Sequence, residues 1–110
     1  MKPELAIRYF HSFSMKDIAT IDILLADNVV MKDWHGIHEG KEIVLEYLDS
    51  LFKIPNSALF ELDICRVAVG QDTVIAEVTL IINKKPIFSM VNVLDYDEDN
   101  KIKAIRAYRR

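Results

Sequence analysis

Residues 74–108 read VIAEVTLIINKKPIFSMVNVLDYDEDNKIKAIRAY, and this stretch decides the fold. Apolar residues dominate it, with isoleucine and valine prominent. Two short polar breaks divide it, Asn83-Lys84-Lys85 and Asp97-Glu98-Asp99-Asn100. The pattern predicts strands over 73–82, 86–96 and 101–108. Connections this short join neighbouring strands head to tail, so the pairing is antiparallel. A fourth strand, over 59–69, precedes them across the turn Gly70-Gln71-Asp72.

Upstream the period changes. Pro3 suits a first helical turn, and Leu5, Tyr9 and Phe13 then recur every four residues with Phe10 beside them. Ser14 and Asp17 form a Ser-x-x-Asp start for a second helix. Its stripe is Ile18, Ile21, Leu24 and Leu25, and Asp27-Asn28 ends it. Period two follows: Val29, Met31 and Asp33 face one way, Val30, Lys32 and Trp34 the other. His35 to Gly40 reads as a loop. A third helix spans about 41–52, with Tyr47, Leu48 and Phe52 on its buried side, and Pro55-Asn56 breaks it. Helices gathered at the start and strands at the end predict one α+β domain over 1–110.

Composition narrows the partners. The net charge is −3 and the only basic block is Arg109-Arg110, so nucleic acid and an anionic membrane surface are poor fits. No stretch has the roughly 20 apolar residues of a membrane helix. Cys65, the single cysteine, sits in an apolar run and is expected to fill space in the core; its solitude suits a reducing cytoplasm. Residues 74–82 and 87–94 are apolar on both faces. Helices cover one face of a sheet, so a homodimer through the outer face is expected.

Polar tips in phase with apolar faces mark candidate chemistry. Tyr9 shares the Leu5–Phe13 stripe, Asp33 follows Val29 and Met31, and Asn92 follows Phe88 and Met90. A carboxylate in an apolar cleft suits a general base, and a tyrosine hydroxyl and an asparagine amide can both donate to an oxyanion. Bland roles exist for each: Asp33 as a turn cap, Tyr9 as a core residue, Asn92 bonded to a neighbouring strand. His35 and His38, three apart with Glu39 adjacent, have a spacing that can bind zinc, but the sequence places no third ligand; these histidines instead line a pocket mouth or face solvent.

These residues resemble the nuclear transport factor 2-like superfamily, within it the ketosteroid isomerase and SnoaL-like branch. IRYFHSFSMKDIATIDILLADNVVMKDW (7–34) is similar to the isomerase start, GKEIVLEYLDSLF (40–52) to the third helix, and VNVLDYDEDNKIKAIRAY (91–108) to the last hairpin. The resemblance implies a cone-shaped, cystatin-like fold: three N-terminal helices packed on a curved antiparallel sheet around a pocket. It implies Asp33 as base, with Tyr9 and Asn92 as oxyanion donors, Asn92 standing where the isomerases carry a protonated aspartate. Leu25 and Leu48 occupy the positions of further tyrosines that the isomerases network with the first. Trp34 replaces a proline. Arg109 replaces an aromatic pocket residue, and would either pair with Asp33 or bind an acidic substrate.

The expected function is therefore a SnoaL-like isomerase or cyclase that abstracts a proton next to a carbonyl, with neither metal nor organic cofactor implied. Phe13, Met31, Trp34, Val78, Phe88, Met90, Ile105 and Arg109 would contact an apolar or carbonyl-containing small molecule. The rival is a non-catalytic module that binds a small ligand or a protein through the same cavity.

Overall fold

The computed structural model describes residues 2–53 and 60–109. The expected helix break at Pro55-Asn56 and the first residue of the expected strand over 59–69 lie outside the described residues. Helix α1 spans Lys2–Ser14 and buries Ala6, Tyr9, Phe10 and Phe13. Asp17 caps α2 (Ile18–Leu24): its carboxylate accepts from the Thr20 amide at 3.1 Å and the Thr20 hydroxyl at 2.6 Å. Ser14 does not start this helix, as its spacing had suggested. Its hydroxyl donates to the Phe10 carbonyl at 3.1 Å and accepts from the Leu62 amide at 2.8 Å. It thus ties the end of α1 to the sheet.

Leu25 turns out of the helix with φ −91° and ψ 143° and opens β1 (Leu25–Asp33). The second helix therefore stops before the expected Asp27-Asn28. The segment expected to be a loop carries β2 (Gly36–Glu39), paired antiparallel with β1 through Met31 and His38. Gly36 opens it and Gly40 follows it, both at positive φ. Helix α3 (Lys41–Lys53) then buries Val44, Leu48 and Phe52.

β3 (Phe60–Val69), β4 (Thr73–Ile82), β5 (Lys85–Tyr96) and β6 (Ile102–Arg109) form the expected antiparallel meander. Asn83 and Lys84, at φ 52° and 66°, make the tight turn between β4 and β5. The full sheet is six-stranded, in the order β2-β1-β6-β5-β4-β3, and β1 lies parallel to β6. It is thus mixed, not wholly antiparallel, and curved without closing, since β2 and β3 remain edges.

The core lies between the concave face and the helices. Tyr9, Phe10, Leu48, Val74, Val78, Leu94 and Ile105 are buried there. Each such side chain contributes about 1.5–3 kcal/mol of hydrophobic stabilisation. On the convex face Ile75 of β4, Ile87 and Val91 of β5 and Tyr108 of β6 are exposed, with Glu77 and the half-buried Thr79 of β4 among them, so that face is only partly apolar, against expectation. Cys65 is exposed, against expectation. A register shift between Ile64 and Arg66 breaks the alternation on which that expectation rested.

Two pairings cross the sheet in one line: Asn92 faces Ala107 on β6 and Ala76 on β4. Lys32 pairs with Arg106, so the next residue along β1, Asp33, comes level with Ala107. Asp33 and Asn92 therefore stand two strand spacings apart, about 10 Å between backbones, with only an alanine between them.

Candidate functional site

A cavity of about 260 Å³ opens between α1, α3 and the concave face. Tyr9, Asp33 and Asn92 all line it, although they come from α1, β1 and β5. Phe13, Met31, Trp34, Phe88, Met90 and Arg109 also line it. Val78 and Ile105, expected in the wall, do not. Both are completely buried, packed into the core beneath the cavity.

Asp33 is held at both oxygens. The Tyr47 hydroxyl donates to Oδ2 at 2.5 Å, and the His35 amide donates to Oδ1 at 2.8 Å. Each oxygen keeps a further lone pair for a ligand. Burial, then the hydrogen bond to Asp33 and its charge, hold the Tyr47 hydroxyl well above the ordinary tyrosine range. Tyr47 is therefore a donor at any ordinary pH. Its ring stacks on His38 at 3.8 Å between centroids, 17° from parallel. His38 is thus a packing partner of Tyr47, and His35 is the histidine at the cavity wall. Among the described residues, no three of His, Cys, Asp and Glu gather as metal ligands would.

Tyr9 is almost fully buried. Its hydroxyl is also raised, first by burial, then by Tyr96 and by Asp33. Asn92 is 4% exposed, and its Nδ2 has no hydrogen-bond partner among the described residues. Leaving such a donor unmet costs about 1–3 kcal/mol. Leu25 and Leu48 are core residues. Tyr96, close enough to influence Tyr9, and Tyr47, bonded to Asp33, stand nearby.

Arg109 does not pair with Asp33. Its guanidinium lies 4.2 Å from the centroid of the Phe88 ring and 6.0 Å from that of Trp34. Trp34 meets Phe88 edge to face at 5.4 Å. These three form the rim.

Sequence reasoning missed Tyr47 as a site residue. It reads as one more member of the α3 stripe, yet it carries the signal that singles out Tyr9: a hydroxyl in phase with buried residues. Phe10, Leu51, Phe60, Leu62, Leu80, Ile82 and Ala107 complete the apolar wall.

Comparison with known proteins agrees with this architecture. A family model described as a SnoaL-like domain matches residues 6–105. A search of curated proteins finds no significant match. Among solved structures, a ketosteroid isomerase candidate from Kribbella flavida is similar with a TM-score of 0.83 at 14% identity, over 99% of this chain and 77% of that one. An LEH-like epoxide hydrolase from M. tuberculosis gives 0.79 at 22%, over 97% and 80%. A de novo designed protein with a curved β-sheet gives 0.82 at 19%, over 99% and 84%. At such identities the likeness is one of fold. The designed protein makes the point sharply, since the backbone alone implies no activity.

Proposed function

The chain belongs to the SnoaL-like family, and from that premise we propose that its cavity abstracts a proton next to a carbonyl, as an isomerase or cyclase would. The observation that carries this reading is that one carboxylate and two buried donors line the same, largely apolar cavity. Asp33 is the base. Tyr47 and the His35 amide fix its carboxylate, leaving lone pairs for the substrate proton. Tyr9 and Asn92 donate to the oxygen that becomes negative as the proton leaves. Asn92 makes this contact without needing to hold a proton of its own. A positioned base contributes on the order of 10²–10⁴ in rate.

The cavity is small. Ligand sites commonly run to about 300–1,000 Å³, so 260 Å³ favours a compact ketone over a steroid. The test is hydrogen–deuterium exchange at the α-carbon, followed by NMR, with small β,γ-unsaturated ketones and 3-oxo-Δ5-steroids. Wild type should exchange and isomerise the small ketones, and Asp33→Asn should lose at least a hundredfold in rate. Equal rates for the two proteins would remove Asp33 as the base.

One observation favours the rival, a binding-only module. Both Asp33 oxygens already accept protein hydrogen bonds, as a purely structural carboxylate would. Ligand-dependent thermal stabilisation without exchange would select it. Under either reading a second copy of the chain covers the partly apolar convex face, and a reducing cytoplasm suits the exposed Cys65 thiol.

A further inference from the structure

Arg109 ends β6 on the concave side and is the sole lysine or arginine among the described residues lining the cavity. Nearby Arg106 is committed, bonding to Asp95 at 2.8 Å. Arg109 has no ion pair or hydrogen bond to any described side chain. Its guanidinium carbon lies 4.2 Å from the centroid of the Phe88 ring and 6.0 Å from that of Trp34. Cation–π contact holds the group in place while its N–H donors, which lie in the guanidinium plane, stay free. A planar fork held this way matches a carboxylate with two parallel hydrogen bonds. At the inner end of the same cavity stands a second unmet donor, Asn92 Nδ2. Between the two the wall is apolar, with Met90 and Leu80 facing inward.

From this arrangement we infer that the ligand is a compact oxo acid: a carboxylate gripped by Arg109 at the mouth, an apolar body, and a carbonyl reaching Asn92. The position of the carbonyl rests on the proposed role of Asp33; the anion contact stands without it. Strand β5 supplies a ruler. Phe88 and Asn92 lie four residues apart on a regularly paired stretch, at most about 14 Å along the strand. Subtracting two hydrogen bonds of about 3 Å each leaves roughly 8 Å between anion and carbonyl oxygen. The curvature of the sheet shortens this further. A chain of several methylene groups, or one small ring, spans the gap; a fused polycycle does not.

The test uses 6-oxoheptanoate and its methyl ester, which share the ketone and differ in charge. Calorimetry on wild type should find the acid bound about tenfold or more tighter than the ester. Arg109→Gln should shrink that preference below about twofold, and Arg109→Lys, which keeps charge but not the fork, should retain part of it. Asp33→Asn should keep the preference for the acid while α-deuterium exchange stops. Equal binding of acid and ester by wild type overturns the inference, as does a preference that survives Arg109→Gln or the absence of binding by either compound. Unchanged exchange in Asp33→Asn sinks the base and leaves the anion site standing.

Discussion

The hydroxyl of Tyr47 reaches across from α3 to Oδ2 of Asp33 at 2.5 Å, so the proposed base is oriented by a helix that shares no strand with it. A hydrogen bond to a charged group is worth about 1.5–3 kcal/mol. Tyr47→Phe keeps the ring and its stack on His38 but removes this donor. It should lower the exchange rate about 10- to 100-fold with a much smaller change in KM. Steady-state kinetics on a small ketone, alongside thermal melts showing an intact fold, check this.

Asn92→Leu separates stability from activity. The substitution replaces an unmet buried donor with an apolar group of similar size, so the melting temperature should hold or rise. The rate should fall about 10²–10³-fold, the loss expected for one oxyanion donor. A marked drop in melting temperature would mean that the amide is held by the fold.

Alkaline pH should destabilise the protein. Tyr9, Tyr47 and Tyr96 are all raised above the ordinary value of 10.0, burial being the first cause in each. The unfolded chain loses these protons near pH 10, while the folded chain still holds them. The stability they contribute is therefore complete below pH 10 and is lost as the pH rises toward their folded values. Denaturant midpoints measured from pH 8 to 11 should fall above about pH 10. Asp33→Asn removes the charge that acts on both Tyr47 and Tyr9 and should bring both phenol titrations down.

Ile105 and Phe88 should behave oppositely. Ile105 is fully buried away from the cavity, so Ile105→Ala should cost about 2–5 kcal/mol of stability with little change in KM. Phe88 is at the rim beneath Arg109, so Phe88→Ala should act chiefly on KM. Paired denaturation and kinetic measurements distinguish the two.

The convex face should report on assembly. Val91 lies between Tyr108 and Glu77, and Ile75 pairs with Val93, so Ile75, Val91 and Tyr108 present exposed apolar side chains at the middle of the sheet. Sedimentation should give twice the mass of one chain, and Val91→Lys should give a monomer. A monomeric wild type at micromolar concentration would exclude the dimer.

Much of this molecule was legible before any coordinates. Hydrophobic periods give all three helices and the four-strand meander, because each of those elements buries one face. Phase alone brings Tyr9, Asp33 and Asn92 to the same cavity. What sequence hid were tertiary choices. β2 is four residues long and buries none of them fully, so it has no apolar period to read. The parallel contact of β1 with β6 leaves no local trace, since its two strands are far apart in the chain. Val78 and Ile105 share the inward phase of true wall residues, but phase fixes direction and not depth. Tyr47 was hidden by its own stripe, where a hydroxyl among leucines passes for bulk.

That parallel pairing also sets when the site can exist. Val30 meets Ala104 more than seventy positions later, and closing so long a loop is slow compared with forming a hairpin. On a ribosome the helices, β1 and most of the meander emerge before the final strand does. Asp33 and Asn92 acquire their common neighbour Ala107 only when that strand docks. The site is therefore complete only once β6 has docked, and a chain cut before β6 would carry both groups without the strand that sets their spacing.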